Sequence, residues 1–452
     1  MDMASASSRP RAVSITPVPI QADMRALKIA YSLERLGFDS WVMAGGGAPL
    51  PLAQLDLSAP QPPSPPGWSR FSPIAAMRRG AAGFAGEALL FAGYIADHFL
   101  RYQWLPRLRI PRADLYYLHS FEYHAALSRH PCLKIYDAHD FYQGVDPDAA
   151  IPHFDRHWVK PFARQREQQC VEAAHAVVTV SDGVAELIAQ TFGCPAYIVR
   201  NAHDARLENA AAGDIRQRLG LDPGVKLMTM VGNDKPNIDL DLALAVMRHL
   251  PGHIHLAMIG RGYESSLAAI DPALRHRLHC PGAVGAAQIV PLIRSADLGW
   301  LLYRAHSANS RNGLPNGFFQ MLAAGLPLLY PDFPEIIKIL DGQEIGGCVT
   351  GLAPKTIAEK ILRLLDNGRQ YRRRALVLAE AVSWEQEENK LRIILRDLYL
   401  QHGRIWPEAM NKTALRILDA AAVVMPVKHG GRFLPPIGAD NNDTIAALRR
   451  PV

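Results

Sequence analysis

The sequence predicts an α/β protein with two Rossmann-like domains, and two features support this fold class. Short strand-like runs alternate with helical patterns over most of the 452 residues, which is typical of βαβ units around a parallel sheet. The alternation pauses in a polar, alanine-rich run near residues 202–213 and begins again at Lys226. The length suits two or three domains, since a domain commonly holds roughly 100–200 residues.

The first series opens with a clear βαβ unit. Residues 12–16 form a strand pattern, and apolar residues then recur at helical spacing over 26–36 before Gly37 ends the helix. Further along, Ser181 occupies the N-cap position of another helix. The strand candidates of this series are 12–16, 39–43, 115–118, 133–136, 176–180 and 196–199.

The second series has strand candidates at 227–231, 254–259, 278–280, 298–303, 327–330 and 348–350. Helical patterns cover 240–250, 289–295 and 383–400. We therefore expect a first domain at 1–205, a second domain at 206–382, and C-terminal helices with a tail at 383–452. Apolar residues in that tail indicate one more amphipathic helix: Leu415, Leu418, Ala422 and Met425.

Charge and cysteine usage exclude some classes of function. The formal net charge is +6, but the basic residues are spread along the chain, so charge alone does not choose between a nucleotide, a phospholipid surface and nucleic acid. No basic stripe interleaved with aromatic residues occurs, which argues against nucleic acid.

The five cysteines are widely spaced, with no C-x-x-C pair, and the N-terminus lacks an apolar signal region. We expect reduced thiols in a cytoplasmic protein.

The most membrane-like stretch, residues 81–99, is interrupted by Glu87 and Asp97 and is too short in its charge-free part to span a bilayer. Two alternatives remain open for it: a helix lying on a membrane surface, or a buried or lid helix. The apolar residues in question are Phe84, Leu89, Phe91, Tyr94, Ile95 and Phe99, with Arg78, Arg79, Arg101 and Arg107 beside them.

The most informative segment, residues 312–327, predicts a helix that starts at Pro315 or Asn316 and ends before a buried strand at Gly325. A helix start placed after a strand presents free backbone N–H groups, which suit a diphosphate. Gly317 lets the backbone approach closely. Taken alone, the segment also fits an ordinary βαβ crossover helix.

A family resemblance adds to this pattern. The run LPNGFFQMLAAGLPLLYPDFPE, at 314–335, resembles the donor-site signature of the retaining GT-B glycosyltransferases, often called glycosyltransferase family four. Other matches follow in the same order as in that family, over roughly residues 12–400: Asp23, Arg25, 134–140, 178–181, Asn201, Gly232, 260–262, Gly282 and 383–385.

The resemblance implies a GT-B fold, in which two Rossmann-like domains face a cleft and the C-terminal helices cross back to the first domain. It implies transfer of a sugar from a nucleotide-sugar, bound by the second domain, to a glycan or lipid-linked acceptor held by the first. It also implies no metal and no other cofactor, because helix N-termini and basic side chains stabilise the leaving diphosphate. Work in polysaccharide or glycolipid assembly, with peripheral membrane contact at the inner face, is the matching expectation.

Carried over residue by residue, the resemblance assigns donor binding to Gly232, Gly260, Arg261, Asn312, Asn316, Gly317 and Gln320. Gln320 and Asn312 stand where the family typically has carboxylates, and an amide is the weaker hydrogen-bond acceptor. Lys235 supplies the only positive charge of the loop after the second domain's first strand. Arg304 or Arg311 could substitute for the missing basic partner.

In the first domain, the resemblance places His119 at the end of a strand facing the cleft, and the next strand leads into Asp137 and His139. Together with Lys235, these are the candidate catalytic residues. A satisfied structural histidine is the competing interpretation of His119. The carboxylates around His139 look like a metal cluster, but nothing else supplies ligand spacing, so no metal site is expected.

Two hypotheses of different classes follow. The first is a retaining glycosyltransferase. The second, motivated by Gln320, is a non-catalytic protein of the same architecture that acts as a partner or scaffold of an active transferase. A nucleotide-sugar epimerase on the same architecture lacks a recognisable acid/base set.

Overall fold

The computed structural model describes residues 9–55, 84–128, 130–144, 154–235, 237–268, 272–404, 406, 428–429 and 432–433. Several predictions from the sequence lie outside these residues. They concern most of the proline-rich loop that begins at Pro49, the side chains of Arg78, Arg79 and Phe84, and the tail helix around Leu415.

The first domain is built on a seven-stranded sheet with the order β3-β2-β1-β4-β5-β6-β7. All neighbouring strands are parallel except β3, which pairs antiparallel at one edge. The strands are β1 (Arg11–Thr16), β2 (Asp39–Ala44), β3 (Leu50–Pro51), β4 (Leu115–Leu118), β5 (Leu133–Asp137), β6 (Ala176–Thr179) and β7 (Tyr197–Ile198). The helices are α1 (Met24–Arg35), α2 (Phe84–Phe99), α3 (Leu105–Arg109), α4 (Lys160–Ala173) and α5 (Asp182–Phe192), with a π-helical turn, Leu100–Trp104, joining α2 to α3.

The second domain is built on a six-stranded parallel sheet with the order β10-β9-β8-β11-β12-β13. Its strands are β8 (Lys226–Val231), β9 (Ile254–Ile259), β10 (Leu278–His279), β11 (Leu298–Trp300), β12 (Leu328–Tyr330) and β13 (Gly346–Cys348). Its helices are α6 (Ile215–Leu219), α7 (Leu240–Met247), α8 (Tyr263–Ala268), α9 (Pro272–Arg275), α10 (Ile289–Ile293), α11 (Ala308–Asn312), α12 (Asn316–Ala323), α13 (Pro334–Leu340), α14 (Pro354–Asp366) and α15 (Gly368–Ala381). The predicted domain boundary at 205/206 falls in the linker between β7 and β8.

The last long helix, α16 (Trp384–Gln401), returns to the first domain. Trp384 is fully buried, and its Nε1 donates a hydrogen bond to Ser32 Oγ of α1 at 2.9 Å. Leu391, Ile394 and Leu395 share one apolar core with strands β4 and β5. The predicted crossing of the C-terminal helices back to the first domain is therefore confirmed. A short antiparallel pair, Lys428–His429 with Arg432–Phe433, follows.

Burial explains why the strands could be recognised. Nearly every residue of β1, β4, β5, β6 and β8 is buried, as expected when helices cover both faces of a parallel sheet. Within the described part of the chain, no helix is long and apolar enough to span a bilayer.

Candidate functional site

The carboxyl ends of both sheets border one cleft with a volume of about 570 Å³. Such a crevice beyond the strand ends is where open α/β sheets bind ligands. Its first-domain and linker wall includes Met24, Lys28, His139, Asp140, Asn201 and Asp204. Its second-domain wall includes Gly232, Asn233, Lys235, Gly260, Val284, Tyr303, Asn316, Gly317 and Gln320.

Helix α12 begins at this cleft. Its N-cap residue is Pro315, which makes no side-chain cap, so no side chain of the cap residue covers the first N–H groups. Gly317 brings the helix against the end of β8, because a Cβ built there would lie 3.0 Å from the carbonyl oxygen of Val231. The predicted helix start, with Asn316 and Gly317 on the cleft wall, is therefore found in the structure.

The loop after β8 forms the facing part of the donor wall. Lys235 is exposed and lines the cleft. Gly232 and Gly260 meet where β8 and β9 end, and a Cβ built at Gly260 would overlap the carbonyl oxygen of Gly232. Arg261 contacts this loop through its backbone, because its N–H donates a hydrogen bond to Asn233 Oδ1 at 3.0 Å. The Arg261 side chain, which was predicted to bind the donor, is not on the cleft wall. Arg304 and Arg311 do not line the cleft either.

The two amides predicted for donor binding separate in the structure. Gln320 lies on the cleft wall. Asn312 does not: its Nδ2 donates to the carbonyl oxygen of Ala308 at 2.9 Å, and its side chain packs against Gly183 of α5. A Cβ at Gly183 would lie only 2.6 Å from Asn312 Oδ1. The prediction for Asn312 is corrected accordingly, because its side chain belongs to the contact between the domains.

His119 and Asp137 lie below the cleft surface with fully buried side chains. Arg25 Nε donates to Asp137 Oδ2 at 2.8 Å, and His119 Nδ1 is 3.7 Å from the same oxygen. Burial lowers the pKa of His119 to about 4 against the pull of Asp23 and Asp137, so its ring is neutral at pH 7. Of the three first-domain candidates, only His139 reaches the cleft wall. The sequence predicted that His119 and Asp137 contact a substrate. The structure corrects this prediction, because neither side chain is accessible and both lie beneath the residues that line the cleft.

Sequence reasoning missed Lys28. It lies on α1 among buried residues, and it also lines the cleft. Its Nζ donates to Asn201 Oδ1 at 2.6 Å and to the carbonyl oxygen of Ala202 at 2.5 Å. Asn201 Nδ2 in turn donates to Asn316 Oδ1 at 2.6 Å. A lysine inside the apolar pattern of α1 was the available signal, because a lysine is almost never fully buried unless it is paired.

On another side of the cleft the two domains are joined by direct contacts. Glu335 of α13 is nearly buried, and its carboxylate accepts hydrogen bonds from the N–H groups of Gly183 at 2.9 Å and Asp182 at 3.3 Å. Ser181 Oγ donates to the carbonyl oxygen of Asn312 at 2.7 Å, and Lys338 pairs with Asp182. A carboxylate at a helix N-terminus is electrostatically favourable, so Glu335 stabilises this arrangement of the domains.

No group of three or more histidine, cysteine, aspartate or glutamate side chains within the described ranges is arranged to hold a metal ion. The positive features on the cleft wall are the N-terminus of α12 and the ammonium groups of Lys235 and Lys28. Together they can hold an anion such as a diphosphate.

Comparisons with known proteins agree with this fold. Residues 225–367 match the profile of the family described as Glycosyl transferases group 1. The fold is similar to that of sucrose-phosphate synthase from Thermosynechococcus elongatus, at 13% identity and a TM-score of 0.59 over 86% of this chain and 100% of that one. It is also similar to α,α-trehalose 6-phosphate synthase from Burkholderia multivorans, at 15% identity and a TM-score of 0.58 over 87% of this chain and 100% of that one.

A third similar structure is HepE of Anabaena in complex with UDP, at 12% identity and a TM-score of 0.55 over 86% of this chain and 100% of that one. A search of curated protein sequences finds no match. Identities this low show the fold alone, and that fold is GT-B, as predicted.

Proposed function

We propose that this chain, which carries a group 1 glycosyltransferase domain on a GT-B fold, transfers a sugar from a nucleotide-sugar to an acceptor held by its first domain. The observation that carries the proposal is the start of α12 on the same cleft wall as Lys235. Both features supply positive potential at one place, which is what a departing diphosphate requires.

The donor reaction needs charge stabilisation more than acid chemistry. As the bond between sugar and phosphate breaks, negative charge develops on the diphosphate, and fixed positive groups lower the barrier without reorganising. We assign this role to the first N–H groups of α12 and to Lys235, with Gln320 placed for the nucleoside. The proposal includes no metal ion. The UDP bound by HepE supports a nucleoside diphosphate as the leaving group here.

The acceptor is assigned to the opposite wall, where His139 and Asp140 line the cleft. A neutral imidazole or a carboxylate there can accept the proton of an acceptor hydroxyl. The acceptor in this proposed reaction is a glycan or a lipid-linked molecule. The proposal includes retention of the anomeric configuration, which rests on the family resemblance of residues 314–335.

The proposal also places the protein at the inner face of a membrane. The segment from α2 to α3 buries Leu90, His98 and Gln103 against the first domain and leaves an apolar stripe in solvent. Its most exposed members are Leu108 at 70%, Leu89 at 63%, Trp104 at 48% and Leu100 at 47%. Arg101, Arg107 and Arg109 belong to the same segment. Apolar area beside basic residues is the pattern that favours binding to an anionic membrane surface.

The membrane part is tested by liposome sedimentation with anionic and neutral vesicles. The variant L89S/W104S/L108S should bind anionic vesicles at least about tenfold more weakly, because it removes the apolar area that enters the interface. Val377→Ser is the matched control, since Val377 is equally exposed but lies on the second domain. Equal binding of the triple variant and the parent protein would contradict the proposal, as would no binding of the parent protein to either vesicle.

The donor part is tested by metal-free turnover of nucleotide-sugars. Lys235→Ala should lower the rate of diphosphate release by about 10²-fold or more, the usual loss when one preorganised charge-stabilising group is removed, while the melting temperature stays nearly unchanged. Lys355→Ala is the control, because Lys355 is also exposed but lies on α14, away from the cleft. An unchanged rate in Lys235→Ala would remove Lys235 from the mechanism.

The second candidate function is a non-catalytic partner of an active transferase. The observation that favours it is Gln320 on the cleft wall, where the resemblance places a carboxylate. For such a partner, we expect a cleft that binds no nucleotide until Gln320 is replaced by glutamate.

A further inference from the structure

We infer that Lys28 is a positioning residue for the donor site, and that it acts through Asn201 to make Asn316 present an N–H donor to the diphosphate. The inference rests on the proposed function and names a residue outside the donor domain. Three parts of the chain take part: helix α1, the linker between the domains, and the start of α12.

The first step is the direction of the Lys28 hydrogen bonds. An ammonium group can only donate, so the atom of Asn201 that lies 2.6 Å from Nζ must be the amide oxygen. The other described contacts of Nζ are the carbonyl oxygen of Ala202 and the ring face of Trp384, whose centre is 4.5 Å away. Both are negative in character, which suits a cation.

The second step follows from the shape of an amide. With its oxygen fixed on Lys28, Asn201 can offer only its Nδ2 to the other side, and that nitrogen lies 2.6 Å from Asn316 Oδ1. The oxygen of Asn316 is thereby occupied. The remaining polar group of this exposed, cleft-lining side chain is its NH₂, which is a donor.

The third step concerns the ligand. Asn316 is the first residue of α12, so its side-chain amide lies beside the helix N–H groups assigned to the diphosphate. An inverted amide would present a carbonyl oxygen there and repel phosphate oxygens. The positive charge of Lys28 therefore selects the one orientation of the two amides that binds an anion.

The surroundings of Lys28 oppose its charge on balance, although three carboxylates offset part of the effect. Burial lowers the pKa of Lys28 to about 7, with Arg25 on the same helix adding to the effect. Asp23 before α1, Asp204 in the linker and Glu387 on α16 oppose it. The charge of Lys28 is thus sensitive to pH in the range where the protein can be assayed.

The test is a set of dissociation constants for UDP, ADP and GDP in metal-free buffer, taking the tightest ligand forward. Lys28→Met should weaken that ligand about tenfold or more, and Asn201→Leu should do the same, because each removes the fixed orientation. In the Asn316→Ala background, Lys28→Met should cause less than about a twofold further loss. Because Lys28→Met and Asn201→Leu test the same hydrogen-bond chain, either one suffices if the other does not fold.

A pH series adds a readout that a purely structural role would not move. The affinity ratio of the parent protein to Lys28→Met should fall as the pH rises from 6 to 9, since Lys28 loses its proton through about pH 7. The ligand's own protonation cancels in this ratio.

The outcomes are distinct. Two results would overturn the inference while leaving the proposed function intact. The first is unchanged affinity in both Lys28→Met and Asn201→Leu. The second is a loss of affinity on Lys28→Met that is equally large in the parent protein and in the Asn316→Ala background. A parent protein that binds none of the three nucleotides would overturn the proposed function and the inference together.

Discussion

Gln320 is the residue that the proposed function assigns to the nucleoside of the donor. It lines the cleft one turn into α12, and its neutral amide accepts a ribose hydroxyl less strongly than a carboxylate would. Gln320→Glu should therefore tighten the binding of a nucleoside diphosphate, by about tenfold for one hydrogen bond that becomes charge-assisted. Isothermal titration measures this change directly.

The matched control is Gln343→Glu, which makes the same substitution at an exposed position in the turn after α13 and should leave affinity unchanged. An affinity that falls in Gln320→Glu would mean that the cleft is arranged for the amide, and the assignment of Gln320 to the nucleoside would be wrong.

Lys28 makes a prediction about stability that needs no ligand. Its folded pKa of about 7 lies below the ordinary value of 10.5, so between these values the unfolded chain binds more protons than the folded protein. The free energy of unfolding should then rise with pH in this window, by up to about 1.4 kcal/mol per pH unit. Relative to Lys28→Met, the parent protein should gain roughly 2 kcal/mol between pH 7 and pH 9. Parallel pH profiles of the two proteins would contradict this prediction.

At the residue scale the sequence indicated some parts of the site and not others. Asn316, Gly317, Gln320 and Lys235 were predicted on the cleft and are found there, because a helix start after a strand has a characteristic local pattern. Lys28 could not be assigned from its neighbours in sequence. Its partner Asn201 is 173 positions away, and only tertiary packing brings them together.

Among the elements, the junction of β8 and β9 shows how a glycine motif supports the site by packing. Gly260 approaches the backbone of Gly232 so closely that no side chain fits between them. Gly260→Ala should lower the free energy of unfolding by about 1–3 kcal/mol, the usual cost of overpacking, and should weaken donor binding because the Gly232 turn must move.

Gly252→Ala is the control for this prediction. Gly252 precedes β9, at the opposite end of the strand from Gly260, and a Cβ there has no neighbour within 4 Å and meets no unusual backbone angle. Its effect should stay within about 0.5 kcal/mol. Chemical denaturation of both variants gives the comparison, and equal stability of the two would contradict the packing explanation.

The strand boundaries predicted for the second domain agree with the structure to different extents. β9 matches its predicted range, whereas β11 ends at Trp300, three residues before the predicted end. β13 begins at Gly346, before the predicted start at Cys348. Glycines do not indicate a strand locally, but here Gly346 packs against the backbone of Leu328 in the neighbouring strand, where a side chain would clash.

The structure shows that the segment from α2 to α3, for which the sequence left two alternatives open, is buried on one face only. One face is buried against the first domain, where Trp158 Nε1 donates to Glu87 Oε2 at 2.9 Å. The opposite face is exposed and apolar. Composition alone could not assign the faces, because apolar residues occur on both of them.

Across the whole molecule, the contacts of Glu335 bias the two domains toward one arrangement around the cleft. Each hydrogen bond from a backbone N–H to its carboxylate contributes on the order of 1.5–3 kcal/mol after exchange with water is counted. Glu335→Ala should therefore increase the population of more open arrangements. Small-angle scattering should show a larger radius of gyration, and a bound nucleoside diphosphate should reverse the increase.

Glu359→Ala, an exposed position on α14, is the control for that measurement. A radius of gyration that is the same in Glu335→Ala and in the parent protein would show that the linker and α16 alone set the arrangement of the domains.

The most direct measurement is a thermal-shift series of the purified protein with UDP, GDP, ADP, dTDP and CMP in the presence of EDTA. A ligand at 100 times its dissociation constant adds about 2.7 kcal/mol of stability. We predict a selective shift with one nucleotide, reduced in Lys235→Ala and retained in Lys355→Ala. A protein that melts cooperatively and shows no shift with any nucleotide would contradict the donor site at α12, and would favour the non-catalytic partner instead.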